Sequence, residues 1–307
     1  GDSRLHEWLD TELPRMADAP EGVRLAIAAP RGEAKSTFVS LFFVLWAVLT
    51  GRKHYILIIA DALEQAASLL GAVKDELEFN EALKRDFPGA GKGHVWNVGT
   101  VVTPGNVKIQ ALGAGKRMRG VRHGPHRPDL IVLDDLENDG NVDKPEQRDK
   151  LQSWLQKTVL NLGAADGSMD VVYVGTLLHY DSVLARTLRK PLWKARTFRS
   201  ILRWPDRMDL WDEWESLLSS RGEAEARRFY RQHRVKMEAG AEVSWPASRP
   251  LYRLMCLRAE DREAFDSEQQ NDPLSANEAP FNGCITFWVD RSRDWLLFGA
   301  VDPSLGK

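Results

Sequence analysis

Residues 28–37 read AAPRGEAKST, a stretch that could hold a phosphate. Successive backbone N–H groups at a helix N-terminus form an anion cradle, and a Lys adds the charge that the outer phosphates of a nucleotide need. Pro30, Arg31, Gly32, Glu33, Ala34, Lys35, Ser36 and Thr37 would form that cradle, with the Ser36 hydroxyl placed to meet Mg²⁺. Ala29 and Ala34 stand where such loops usually carry glycine, and Gly32 is the one permissive position left. A Lys at an ordinary helix start is the plainer reading of this stretch alone.

A second stretch supplies acids. LIVLDDLE (130–137) is an apolar run ending in Asp134 and Asp135, with Glu137 two residues on. In ATPases built on phosphate loops, a strand of this kind lies beside the loop. Its first acid organises Mg²⁺ and the next acts on the attacking water. Asp134 fits the first role. Asp135 or, if the strand continues, Glu137 fits the second. A third apolar run, VVYVGT, ends in Gly175 and Thr176, a small polar edge suited to sensing the terminal phosphate. Between loop and acids, residues 108–128 carry Lys108, Lys116, Arg117, Arg119, Arg122 and Arg127, with no acid before Asp129. Together with Arg31, they could neutralise transition-state charge or contact a DNA backbone.

Strands alternating with helices must position these groups. VRLAIAA (23–29), HYILIIA (54–60), DLIVLDD (129–135) and MDVVYVGT (169–176) are continuous apolar runs, as strands buried on both faces require. VKIQALG (107–113) alternates, and WKARTFRSI (193–201) predicts a further or edge strand. Helices are predicted at residues 3–17, 35–49, after each strand through 61–79 and 144–162, and again over 208–236. The expected fold is therefore α/β, a central mostly parallel sheet flanked by helices. Composition changes near Pro205, which predicts a core over 1–205 and a smaller lid or linker subdomain over 206–285. WLLFGAVDPSLGK, at the end, predicts the first strand of a further domain over 286–307, cut short.

The chain has 307 residues, 43% hydrophobic and 28% charged, with a net charge of −2. A nucleic-acid surface would therefore have to come from local clustering. Cys256 and Cys284 are too few for a disulfide framework or a structural zinc site. The longest apolar run, FVSLFFVLWAVLTG, is short for a membrane span, and GDSRLHEWLD has no signal-peptide core.

Taken together, PRGEAKST, GKRMRGVRHGPHRPDLIVLDDLE and VYVGT resemble the ATPase domain of the large terminase subunit of tailed bacteriophages. FDSEQQNDPLS (265–275) resembles the segment preceding that family's nuclease domain, and GAVDPSLGK the first strand of its RNase H-like nuclease. The resemblance implies a P-loop NTPase of the additional-strand class with a small helical lid, using ATP and Mg²⁺. It implies Lys35 on the β- and γ-phosphates, Ser36 or Thr37 and Asp134 on Mg²⁺, and Asp135 or Glu137 on water. Thr176, beside Gly175, would couple hydrolysis to movement. Arg31 or Arg119 would act as the transition-state cation, Arg119 on a neighbour's ATP. The basic helical segment 213–236 would be a lid that transmits rotation. Asp302 would be the first metal-binding acid of an incomplete nuclease site, so no DNA cleavage is expected of this chain. The implied partners are double-stranded DNA, a portal protein, a small terminase subunit and further copies in a ring. The implied setting is the host cell cytoplasm without membrane attachment, with a monomer in isolation. A helicase-like or AAA-type ATPase, and a nucleotide-gated scaffold without turnover, are the competing readings.

Overall fold

A computed structural model of the chain describes residues 1–118 and 120–273. Ser3 starts α1 (Arg4–Ala17): its hydroxyl accepts the His6 N–H, while His6 Nδ1 accepts the Ser3 N–H. β1 (Arg24–Ala28) leads through residues 29–34 into a helix that opens at Lys35. This helix runs as a π-helical stretch over Thr37–Phe43 and continues as α2 (Val44–Leu49). β2 (Tyr55–Ala60), α3 (Leu63–Phe79) and α4 (Glu81–Asp86) follow. Next come β3 (Val95–Trp96), β4 (Thr100–Val102), β5 (Lys108–Gly113) and β6 (Leu130–Asp134). α5 (Asp139–Val142) and α6 (Pro145–Lys157) precede β7 (Asp170–Gly175), α7 (Val183–Leu188) and β8 (Lys194–Thr197).

Eight strands form one sheet in the order β3-β4-β5-β2-β6-β7-β1-β8. β5 through β8 in that order are parallel, while β3 and β4 add an antiparallel edge. Alternation along each central strand divides the core in two. Ile56, Ile58, Val132, Val172 and Val174 face a layer with Leu5, Leu9, Val39, Val44, Leu70 and Val73. Tyr55, Leu57, Ile59, Ile131, Leu133 and Tyr173 face Leu155, Val159 and Val183. Helices thus cover both faces, which is why the strand sequences are apolar without interruption. The acidic strand β6 is not adjacent to β1. β7 lies between them, the inserted strand that the additional-strand class requires.

β9 (Ile201–Arg203) pairs with β10 (Glu242–Val243) in a separate ribbon. The run 193–201 is thus split in two, because Phe198–Ser200 turn away after Phe198 N–H bonds Ala28 O at 2.8 Å. α8 (Met208–Arg221) and α9 (Glu223–Glu238) are separated by Gly222, and α10 (Leu251–Glu260) and α11 (Arg262–Glu268) complete this part. A third core of Ile201, Trp211, Trp214, Met237, Leu254, Met255 and Phe265 holds these helices together. Full burial of side chains this size is worth about 1.5–3 kcal/mol each. No helix among the described residues is long and apolar enough to cross a membrane.

Candidate active site

The parallel strands β1, β7 and β6 end on one edge of the sheet, and the residues singled out from sequence meet there. Ala34 takes φ 55°, the left-handed conformation that glycine adopts freely and an alanine adopts at a cost of roughly 1–2 kcal/mol. The loop therefore keeps the backbone shape of a glycine-bearing phosphate loop without the glycine. Gly32, at φ 80°, supplies the other left-handed position. Lys35 opens the following helix, is 7% exposed, and reaches Asp135 Oδ2 at 3.1 Å and Thr176 Oγ1 at 3.1 Å. Thr176 in turn donates to Ala29 O at 3.2 Å.

Asp134 is fully buried at the tip of β6. Ser36 Oγ donates to its Oδ1 at 2.9 Å and Ser40 Oγ to its Oδ2. In the wider π-helical turn, residues four apart share a face, so both hydroxyls point at one carboxylate. Burial, followed by repulsion from Asp135, pushes the Asp134 carboxyl up to about 6, while the two serines and Lys35 oppose the rise. Serine hydroxyl and carboxylate are hard oxygen donors, the chemistry that Mg²⁺ selects when phosphate oxygens and waters complete its shell. Among the described residues no cluster of three or more His, Cys, Asp or Glu could hold a metal by itself.

The two candidate water-activating acids part company. β6 ends at Asp134, and Asp135 takes φ 44°, donating its N–H to Val174 O at 3.0 Å. The strand does not continue, so Glu137 does not project beside Asp135. Its carboxylate accepts the Val183 N–H at 2.7 Å, the Leu184 N–H at 3.0 Å and the Tyr173 hydroxyl at 3.2 Å. With Ser182 Oγ accepting the Ala185 N–H, these bonds close the start of α7. Burial raises the Glu137 carboxyl, with those donors opposing it. Asp135 stays about one-third exposed beside Lys35. A Cβ on Gly175 would lie 3.3 Å from Asp135 Oδ1, so glycine there lets the acid pack against the end of β7.

The rest of the loop is anchored to the third core. Arg31 N–H donates to Glu268 O at 2.9 Å and its guanidinium pairs with the Glu268 carboxylate. Glu33 is fully buried, accepting Ser244 Oγ at 3.1 Å and Ser200 Oγ at 3.5 Å. Burial pushes its carboxyl up to about 7 against the pull of Ser244, Arg249 and Ser200. His6 Nε2 lies 2.9 Å from Glu33 O, stacked on Phe38. Thr37 is exposed.

Sequence reading missed Ser40, Ser200, Ser244 and Arg249, and gave Gln269 and Asn271, inside FDSEQQNDPLS, no role at this site. A buried serine four residues after Ser36 on an apolar helix is a signal that could have found Ser40. Asn271, at φ 50°, accepts the Leu177 N–H at 2.8 Å and donates to Phe198 O at 2.8 Å. It ties the residue after Thr176 to the end of β8.

Lys116, Arg117, Arg122 and Arg127 are exposed between β5 and β6. Lys108 is not among them: it lies on β5, and its Nζ sits 4.4 Å from the Tyr55 ring centroid and donates to the Tyr55 hydroxyl at 3.2 Å. On α9, Arg227, Arg228 and Arg234 pair with Glu223, Glu225 and Glu238 along the helix. Arg119 and Asp302 lie outside the described residues.

No protein-family model matches this sequence, and no curated protein matches it. Among solved structures, it is similar to the large terminase ATPase domain of Thermus phage P74-26. That alignment has 15% identity and a TM-score of 0.41, covering 88% of this chain and 98% of that one. A mutant of the same domain, with one arginine replaced by alanine, aligns at 14% identity with a TM-score of 0.39, over 88% of this chain and 98% of that one.

Proposed function

We propose that this chain is an Mg²⁺-dependent ATPase, the motor domain of a terminase-type machine that moves double-stranded DNA into a procapsid. One observation carries the hydrolytic part. Lys35, Ser36, Asp134, Asp135 and Thr176 come from three separate strand ends, yet they are linked by polar contacts of about 3 Å. Bound Mg²⁺ would screen phosphate charge and hold the β- and γ-phosphates in one geometry.

In this reading Lys35 exchanges its contacts with Asp135 and Thr176 for phosphate oxygens. Ser36 and Asp134 face the metal position, with Ser40 fixing the Asp134 carboxylate. Asp135, released from Lys35 and open to solvent, orients the attacking water, while Glu137 holds α7. Thr176 registers whether Lys35 is engaged and passes the change through Leu177 to Asn271. The exposed cations at 116–127 supply DNA-backbone contacts. The portal protein, the small terminase subunit and ring formation enter through the sequence resemblance alone.

Steady-state ATP hydrolysis with Mg²⁺ tests this, comparing wild type with Lys35→Ala over a range of protein concentrations, with and without double-stranded DNA. Hydrolysis is expected of the wild type, and Lys35→Ala should lower it at least about a hundredfold. A rate rising faster than protein concentration would mean that a neighbour completes the site. Wild-type hydrolysis no faster than that of Lys35→Ala rejects the ATPase.

A further inference from the structure

Gly32, kept at a left-handed φ of 80°, has an arginine side chain packed against it. A Cβ at position 32 would collide with the guanidinium of Arg249. Arg249 sits just before α10, more than two hundred residues along the chain, and packs directly on the turn of the phosphate loop. Its Nη1 donates to Gln269 Oε1 at 2.5 Å. Gln269 is 5% exposed and also accepts Ser200 Oγ at 3.2 Å, so the guanidinium is held by a buried, fixed partner. Nη2, the nitrogen nearest Gly32, makes no hydrogen bond among the described residues.

Glu33 and Glu268 are the carboxylates that act on this cation, and neither forms an ion pair with it within 4.0 Å among the described residues. Glu33 accepts Ser244 Oγ at 3.1 Å, the single Ser200 hydroxyl hydrogen is shared between Gln269 at 3.2 Å and Glu33 at 3.5 Å, and the raised carboxyl makes Glu33 a partial counter-charge at neutral pH. Arg31, the loop's own arginine, is turned to Glu268. Lys35 is already shared between Asp135 and Thr176. A polyphosphate brings several negative charges to this loop, and a planar guanidinium with free N–H groups suits phosphate oxygens.

We propose that Arg249 is a second cation of the nucleotide site, contacting the polyphosphate from the Gly32 side of the loop. The proposal rests on the ATP-site reading above. It makes the third core a direct participant in binding and not only a support.

The test is equilibrium binding of a fluorescent ATP analogue with Mg²⁺ to wild type, Arg249→Met and Arg249→Lys, with inorganic tripolyphosphate as competitor. Methionine keeps an aliphatic stem against the loop but carries no charge. Arg249→Met is expected to weaken both the analogue and tripolyphosphate about tenfold or more, and Arg249→Lys to recover part of that loss. Wild-type affinity for tripolyphosphate in Arg249→Met overturns the inference and leaves the ATP site standing. Failure of the wild type to bind either probe removes both. Should Arg249→Met not fold, phenylglyoxal modification of the wild type, read by mass spectrometry, decides. Protection of Arg249 by tripolyphosphate supports the proposal, and equal modification with and without it overturns it.

Discussion

Two Lys–Asp pairs sit at opposite edges of the same sheet. At the edge where the parallel strands begin, Lys53 Nζ lies 2.7 Å from Asp170 Oδ2, with side-chain exposures of 8% and 2%. Asp170 also accepts the Val23 N–H at 2.7 Å. At the edge where they end, Lys35 lies 3.1 Å from Asp135, with exposures of 8% and 31%. The ingredients are the same, but the first pair is sealed between strands and the second is open on one side. Lys35 also has an alternative partner in Thr176. A sealed pair can only hold the fold, whereas an open one can exchange partners. The difference lies in the backbone: Asp170 begins β7 in regular extended geometry, and Asp135 stands on a left-handed turn just past β6.

The sealed pair carries the larger expected effect on stability. Lys53→Ala would leave Asp170 buried without its cation, and the expected loss is about 3–5 kcal/mol in urea unfolding. Lys35→Ala, leaving a partly solvated acid, should cost less than about 1.5 kcal/mol while removing activity. Equal losses from the two variants would mean that both pairs are structural.

Glu33 sharpens the contrast through pH. Its folded carboxyl titrates near 7 against an ordinary 4.5, because burial disfavours the charged form. A raised carboxyl stabilises the fold fully below about 4.5, and that contribution is lost as pH rises through 7. The linkage is worth about 3 kcal/mol. Wild-type stability should therefore fall between about pH 4.5 and pH 7, with Asp134, raised to about 6, contributing below pH 6, and Glu33→Gln should remove the part of the slope between about pH 6 and pH 7. An unchanged slope in the variant would place the titration elsewhere.

The smallest expected effect separates Asp135 from Glu137. Glu137→Gln should cost about 1–2 kcal/mol of stability by weakening the start of α7, with turnover changed only a few-fold. Asp135→Asn should leave stability nearly unchanged and slow turnover at least about a hundredfold. The reverse pattern would move the water-orienting role to Glu137.

β1, β2, β6 and β7 were readable from sequence because strands buried on both faces are short, nearly continuous apolar runs, with the buried acids Asp170 and Asp134 only at their ends. β3 and β4 escaped notice because two- and three-residue edge strands leave no pattern. Lys35, Ser36, Asp134 and Thr176 were legible as candidates because each stands next to a strand end, a local signal. The third core's hold on the loop was not, since Glu33 meets Ser244 across 211 residues and Arg31 meets Glu268 across 237. No local periodicity encodes such partners. The split between Asp135 and Glu137 depended on a single positive φ, and Asp is a residue type that tolerates it without requiring it.

Calorimetric titration of a slowly hydrolysed ATP analogue with Mg²⁺, into wild type and Lys35→Ala, reads nucleotide binding at this edge of the sheet without requiring turnover. Saturable binding of one nucleotide per chain is expected for the wild type, weakened at least about tenfold in Lys35→Ala. Equal affinity in the two proteins, or no binding to the wild type, would contradict a nucleotide site at this edge of the sheet.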